Sequence, residues 1–207
     1  GWILVSPTGG SLAPSGLTVF SFQRGGITLS EAGLSAVQSG TAFRLYAESQ
    51  GNFNGSQPSS VQTGVAIANL GSDPVTVDFE LTTLGGAPIG TGSIDIVANA
   101  HVAVFLSQIR GLGGLNANFR GILRVSTSSS FGISLIGLRA RYNERQDLLI
   151  ASIPPVNESA APSTSELIFP LIADAGGYTS EFVLLGNAGQ ASSGTIQFLS
   201  PSGSALG

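Results

Sequence analysis

An all-β fold is what this sequence predicts: immunoglobulin-like antiparallel β-sandwich units in tandem, about 120 residues per unit. Three observations predict it. Apolar residues alternate with polar ones along short runs, as they do on a half-buried strand. Turn-forming chemistry separates those runs throughout, with 29 Gly and 10 Pro in 207 residues. And the chain repeats itself in order.

The run "PVTVDFEL" shows the alternation plainly. Val75, Val77, Phe79 and Leu81 fall on one face, and Thr76, Asp78 and Glu80 on the other. "SIDIV" continues it, with Ile94 and Ile96 inward and Asp95 outward. "GILRVS" and "GISLIGL" are mostly apolar on both faces, as expected of central strands. Strands are expected near 42–48, 62–69, 75–82, 92–97, 102–107, 120–126, 132–141 and 147–152, between the turn signals "NLGSDP", "LGGAP", "VANA", "STSSS" and "NERQD". "LSEAGLSAV" at 29–37 has a helical look, but its match to a run with two prolines argues against a helix there. "FLSQIRGL" at 105–112 suits one short turn.

The repeat is read from ordered matches. "GWILVS" (1–6) pairs with "GILRVS" (121–126), "SGLTVFSF" (15–22) with "FGISLIGL" (131–138), and "AGLSAV" (32–37) with "ASIPPV" (151–156). "AFRLYAES" (42–49) pairs with "ELIFPLIA" (166–173), and "VAIANLG" (65–71) with "VLLGNAG" (183–189). "TVDFELTTLGGAPIG" (76–90) is echoed by the closing "GTIQFLSPSGSALG". The expected organisation is therefore the C-terminal part of one unit over 1–40, a complete unit over 41–156, a linker over 157–164, and the N-terminal part of a further unit over 165–207. Met is absent, position 1 included, so the chain is expected to be processed or cut from something longer.

This succession of phrases, from "SGLTVFSF" through "FRLYAES", "TGVAIANLG" and "ANAHVAVFLSQI" to "SIPPV", resembles a tandem β-sandwich repeat of large secreted and cell-surface proteins of environmental bacteria. The resemblance spans essentially the whole chain. It implies a sandwich, an extracytoplasmic address and tandem repetition, and it carries no catalytic signature.

Composition narrows the function. Charged residues are only 10% of the chain, all eight basic residues are Arg, and the net charge is −4. With no basic cluster, nucleic acid is not an expected partner. Gly, Ser, Asn or Asp interrupts every apolar stretch, so no membrane-spanning segment is expected. Without Cys there are no disulfides and no thiolate metal sites.

Chemistry has few footholds. His101 is the only His, stands among alternating residues and has no G-x-S-x-G nucleophile motif to serve. "RGLGGLNANFRG" (110–121) is Gly-rich but lacks the G-K-[ST] of a phosphate loop, and reads as a connector. Asp78 and Glu80 are solvated strand residues, and nothing brings Glu31, Glu48, Asp174 and Glu181 into converging pairs. No enzymatic activity, cofactor or catalytic residue is expected. Calcium is the one ion weighed, through the turns "GNFNGS" (51–56) and "DAGGYTSE" (174–181), neither of which has EF-hand spacing. Asn54 and Asn157 head N-x-[ST] sequons and are candidate glycosylation sites. "RARYNERQD" (139–147) reads as a hairpin end with mutually neutralising charges, or as the polar rim of a subunit contact. Trp2 is matched by Ile122 and is expected in a core.

The expected function follows from edges. Sandwich edges are normally guarded by charge, above all Lys, and this chain has no Lys. It is expected to be a structural, self-associating extracellular or cell-surface protein, a filament or surface-array subunit. Copies would join head-to-tail by β-strand complementation, the segment around Leu17, Val19 and Phe20 completing residues 165–207 of the next copy. The alternative is an excerpt of a longer surface protein serving as spacer or carbohydrate/ligand-binding repeat. In a variant, 1–40 folds onto 165–207 of the same chain. A polysaccharide hydrolase is the remaining class and would need a cleft with converging carboxylates.

Overall fold

A computed structural model describes residues 1–115, 118–161, 165–186 and 193–206. The chain divides into two compact units, Gly1–Ala161 and Pro162–Gly207, with the division inside the connector expected at 157–164.

The first unit carries strands β1 (Leu17–Arg24), β2 (Ile27–Ser35), β3 (Ala42–Gln50), β4 (Val61–Asn69), β5 (Val75–Thr83), β6 (Pro88–Ile96) and β7 (His101–Phe105). After a 3-10 turn over Leu106–Gln108 come β8 (Phe119–Thr127), β9 (Ile133–Tyr142), β10 (Leu148–Ile153) and the short β11 (Val156–Asn157). Every strand pairing is antiparallel. The strand order is β10-β9-β4-β3-β8-β5-β6, with β11 also on β3 and β7 also on β4.

That path bends into two leaves at one place. β3 and β4 pair only over Ser49↔Gln62 and Gln50↔Val61, then separate. β3 goes on with β8, whereas β4 lies between β9 and β7. At the parting point the hydroxyl of Thr63 replaces the strand ladder. It accepts from the Glu48 backbone N–H at 2.9 Å and donates to the Glu48 carbonyl at 3.0 Å. Thr63 is fully buried, so without it two backbone groups would be orphaned away from water.

The two leaves face each other across one core. Phe43, Leu45 and Ala47 of β3, Val77, Phe79 and Leu81 of β5, and Leu123 and Val125 of β8 pack with Val65, Ile67, Ile133 and Leu135 of β4 and β9. The arrangement is that of a β-sandwich, and β5 has the in–out alternation expected of it, with Asp78 and Glu80 exposed. The loop after β3 is held down by Phe53, whose ring meets Phe105 at 5.0 Å and Tyr142 at 5.1 Å.

Several features differ from the pattern reading or extend it. β6 begins at Pro88 rather than near 92, because Gly90 and Gly92 carry no alternation signal. They are glycines because the 109–115 segment folds over them: a Cβ on Gly92 would lie 2.6 Å from the Arg110 carbonyl and 3.1 Å from Leu112. The start of the Gly-rich connector is thus part of the core cover, with Leu112 buried next to the buried Ile109 that precedes it; residues 116 and 117 lie outside the described residues. Residues 29–37 are largely strand, as the match to a proline-bearing run implied. β1 and β2 join through Gly25 and Gly26, both with positive φ (60° and 78°), the demand of a tight hairpin turn. Finally, β2 lies against β10. The Ser30 hydroxyl accepts from the Ile150 N–H at 2.8 Å, and the Ser152 hydroxyl donates to the Gly33 carbonyl at 2.8 Å.

In the second unit the described strands are β12 (Phe198–Leu199) and β13 (Ala205–Leu206), an antiparallel pair. Residues 166–173, matched in sequence to β3, form no strand, and neither do residues 1–6, matched to β8.

Candidate assembly surfaces

Polar chemistry is tied up in pairs. On the outer face of one leaf, Arg44, Arg124 and Glu80 stand in a row across β3, β8 and β5, each opposite the next. Two Arg side chains directly opposite each other repel. Glu158, arriving just after β11, lies between them, 2.8 Å from Arg44 Nε and 3.1 Å from Arg124 Nε, with Glu80 3.5 Å from the other end of Arg124. Glu48, buried beside the sheet corner, accepts from Arg139 Nε. These carboxylates are ion-pair partners of Arg, and Glu80 and Glu158 meet on Arg124.

The remaining candidates have plain positions. His101 is exposed at the start of β7. In the 139–147 segment the charges are met partly from within and partly from outside: Arg141 lies 2.8 Å from Glu144, Arg139 pairs with Glu48, and Asn143 Oδ1 accepts from the backbone of Arg145 and Asp147. The Glu144 carboxyl is held below its ordinary value, first by a backbone hydrogen bond and then by Arg141. Among the described residues no three acidic or imidazole side chains converge as a metal site would require. In the 51–56 turn, Asn52 Oδ1 accepts from the Gly55 N–H. Among the described residues no helix is long and apolar enough to cross a membrane.

Asn54 is exposed in the same turn. Asn157 is half-buried, donates through Nδ2 to the Ser39 carbonyl, and packs so closely on Gly40 that a Cβ there would lie 2.6 Å from its side-chain oxygen. Trp2 is half-buried, its Nε1 donating to the Asn99 carbonyl at 3.3 Å. Its sequence match Ile122 is on the outer face of β8 rather than in the core, because the inward positions of that strand are Gly121, Leu123 and Val125.

Apolar side chains are where the molecule is unbalanced. Of the large apolar residues left exposed among those described, seven lie at or before Ile27 and thirteen at or after Leu167, against four between. Leu17 and Val19 are 67% and 59% exposed on β1, which pairs with β2 alone, and Phe20 beside them is half-buried. Ile3, Leu4 and Val5 are exposed, as are Ile168, Leu171 and Ile196. In the second unit three rings stand in line, Phe169 to Phe182 at 5.4 Å and Phe182 to Phe198 at 6.0 Å.

The second unit also reproduces two details of the first. At the tip between β5 and β6, Thr83 N–H donates to Ala87 O, Gly86 N–H donates to Thr83 O, and Thr83 Oγ1 accepts from Ala87 N–H. Between β12 and β13, Ser200 N–H donates to Ser204 O, Gly203 N–H to Ser200 O, and Ser200 Oγ accepts from Ser204 N–H. Gly86 and Gly203 share the left-handed conformation, φ 85° and 82°. The Thr63 corner recurs as well: Ser180 Oγ accepts from Ala173 N–H at 3.1 Å and donates to Ala173 O at 2.9 Å. Thr63 to Ser180, Thr83 to Ser200 and Gly86 to Gly203 are all 117 residues apart. The sequence match set Phe79 against Phe198; the bonds place Leu81 there instead, two residues along and on the same face.

No family model and no curated protein matches the chain. Two solved structures are similar to part of it: Thermotoga maritima 1070 (TM-score 0.42, 8% identity, 56% of this chain and 95% of that one) and the Anabaena sensory rhodopsin transducer (TM-score 0.37, 15% identity, 54% and 95%).

Proposed function

We propose that the protein is a structural, self-associating extracellular subunit, whose copies join head-to-tail by strand complementation into a filament or surface array. One observation carries this reading: the exposed apolar side chains gather in the first 27 residues and after residue 166, while the sandwich between them is well covered. Exposed large apolar side chains in such number favour burial against a partner. The charge that normally keeps such surfaces apart is missing, at 10% charged residues and no Lys. An N-terminal face meeting a C-terminal face is a heterologous contact, and such contacts propagate unless rotation closes them into a ring. The extracellular address rests on the resemblance to secreted tandem sandwich repeats.

Sedimentation velocity over a range of concentrations tests the reading, on the full chain and on a Leu17→Lys/Val19→Lys variant. Both side chains are exposed, so the variant folds. The expected result is oligomers that grow with concentration and that the double substitution removes. A single species of 20.9 kDa at every concentration, or oligomers untouched by the two lysines, refutes it.

A further inference from the structure

The complete sandwich shows what the second unit lacks. In the first unit β8 lies between β3 and β5, and its inward residues seal the core: Leu123 opposite Leu81, and Val125 opposite Phe79. Because β8 is there, Phe79 and Leu81 are at most 1% exposed. Their counterparts 117 residues on, Ile196 and Phe198, are 63% and 40% exposed. The turn and the corner of this half-sandwich are built; the strand that would lie beside 194–200 is not among its own described residues.

We infer that this strand is residues 1–6 of a second copy, laid antiparallel along residues 194–200 with Gly1 opposite Ser200, Ile3 opposite Phe198 and Val5 opposite Ile196. The inference rests on the head-to-tail reading above and specifies its contact. The register is that of β8 on β5, where Gly121, Leu123 and Val125 face Thr83, Leu81 and Phe79, carried over at the 117-residue spacing of the turn bonds.

Four features fit residues 1–6 to that place. Gly1, Val5 and Ser6 are identical to Gly121, Val125 and Ser126, and Ile3 replaces Leu123. Glycine at the first position is a steric requirement, since a Cβ on Gly121 would lie 2.0 Å from the Thr82 carbonyl of β5. Ile3 and Val5, which would turn inward, are 79% and 62% exposed where they now stand. Neither 1–6 nor 194–200 contains a charged side chain, so pairing them strips no side-chain ion of water. Backbone hydrogen bonds supply the attraction and the alternate side chains the register, as in strand addition generally.

The chain has no Cys, so engineered thiols report alone. Full-length Ile3→Cys is mixed with full-length Phe198→Cys under mild oxidation, beside a control of Ile3→Cys with Leu199→Cys, whose thiol points to the other face. Directly opposite strand residues fall within the Cα separation a disulfide accepts. In register, the paired thiols are held at high effective concentration, and the covalent dimer is expected to form about tenfold faster or more than in the control. A double variant, Ile3→Cys/Phe198→Cys, is expected to give chains linked end to end. Equal rates with both partners overturn the register. Linkage within single chains at high dilution overturns the second copy as occupant. Sedimentation of the same mixtures separates the failures: oligomers without the specific crosslink refute this contact alone, and the absence of oligomers refutes the head-to-tail reading with it.

Discussion

Replacing Thr63 by Val removes the one hydroxyl on which the parting of the two leaves depends. Val keeps the shape of Thr and deletes both of its bonds, one from the Glu48 N–H and one to the Glu48 carbonyl. Thr63 is 0% exposed and Glu48 5%, so water cannot take over either group. An orphaned buried donor or acceptor costs about 1–3 kcal/mol. Two of them, with partial relaxation, cost about 3 kcal/mol. For a unit of this size that corresponds to a fall in Tm of roughly 6–12 °C. Thr63→Ser keeps the hydroxyl and loses a methyl, costing only about 1 kcal/mol. Urea unfolding of wild type and both variants, followed by circular dichroism, makes the comparison. If Thr63→Val is no less stable than Thr63→Ser, the hydroxyl does not hold the corner and the argument from its recurrence at Ser180 falls too.

Other outcomes follow from the same contacts. Glu158→Gln leaves Arg44 and Arg124 facing each other without their shared counter-charge, and is expected to cost about 1–3 kcal/mol, less in high salt because Arg124 is partly exposed; equal stabilities at low and high salt would contradict the role given to Glu158. Secreted from a host that N-glycosylates, the chain is expected to carry glycan at exposed Asn54 and none at Asn157, whose Nδ2 is engaged with Ser39; intact mass before and after Asn54→Gln decides this. The Glu144 carboxyl, held below its ordinary value first by a backbone hydrogen bond and then by Arg141, should rise part of the way back in Arg141→Gln, seen in side-chain carboxyl NMR shifts. Because its folded-state value is depressed, the stabilisation it brings is present above its unfolded value and fades as pH falls through the folded one.

Much of the sandwich was legible because its strands obey a period of two. Val75, Val77, Phe79 and Leu81 could be assigned inward from the intervening Thr76, Asp78 and Glu80 alone. The match to a proline-bearing run argued against a helix in "LSEAGLSAV", but the pattern alone assigned no strands before residue 42, so the hairpin of β1 and β2 came from the structure. What pattern could not show was anything set by contact across the fold. Thr63 is one Thr among many, and only the divergence of β3 and β4 makes it structural. Arg44 and Arg124 become a row once β3 and β8 pair, and Glu158 reaches them from an irregular segment with no periodicity to read. The cover formed by Ile109 and Leu112 was hidden inside a stretch whose glycines read as a connector. The sequence match in the last turn set Phe198 against Phe79, whereas the bonds of Ser200 and Gly203 resemble those of Thr83 and Gly86 at a spacing shorter by two residues.

Amide hydrogen exchange measured by mass spectrometry, at low and at high protein concentration, tests the central claim most directly. The account predicts that peptides covering residues 1–6 and 194–200 exchange quickly when dilute and gain protection together as concentration rises, while β3 to β9 stay protected throughout. If both segments exchange equally fast at every concentration, residues 1–6 and 194–200 do not complete one another between copies; if no peptide before residue 41 or after residue 164 gains protection either, the head-to-tail assembly is wrong with it.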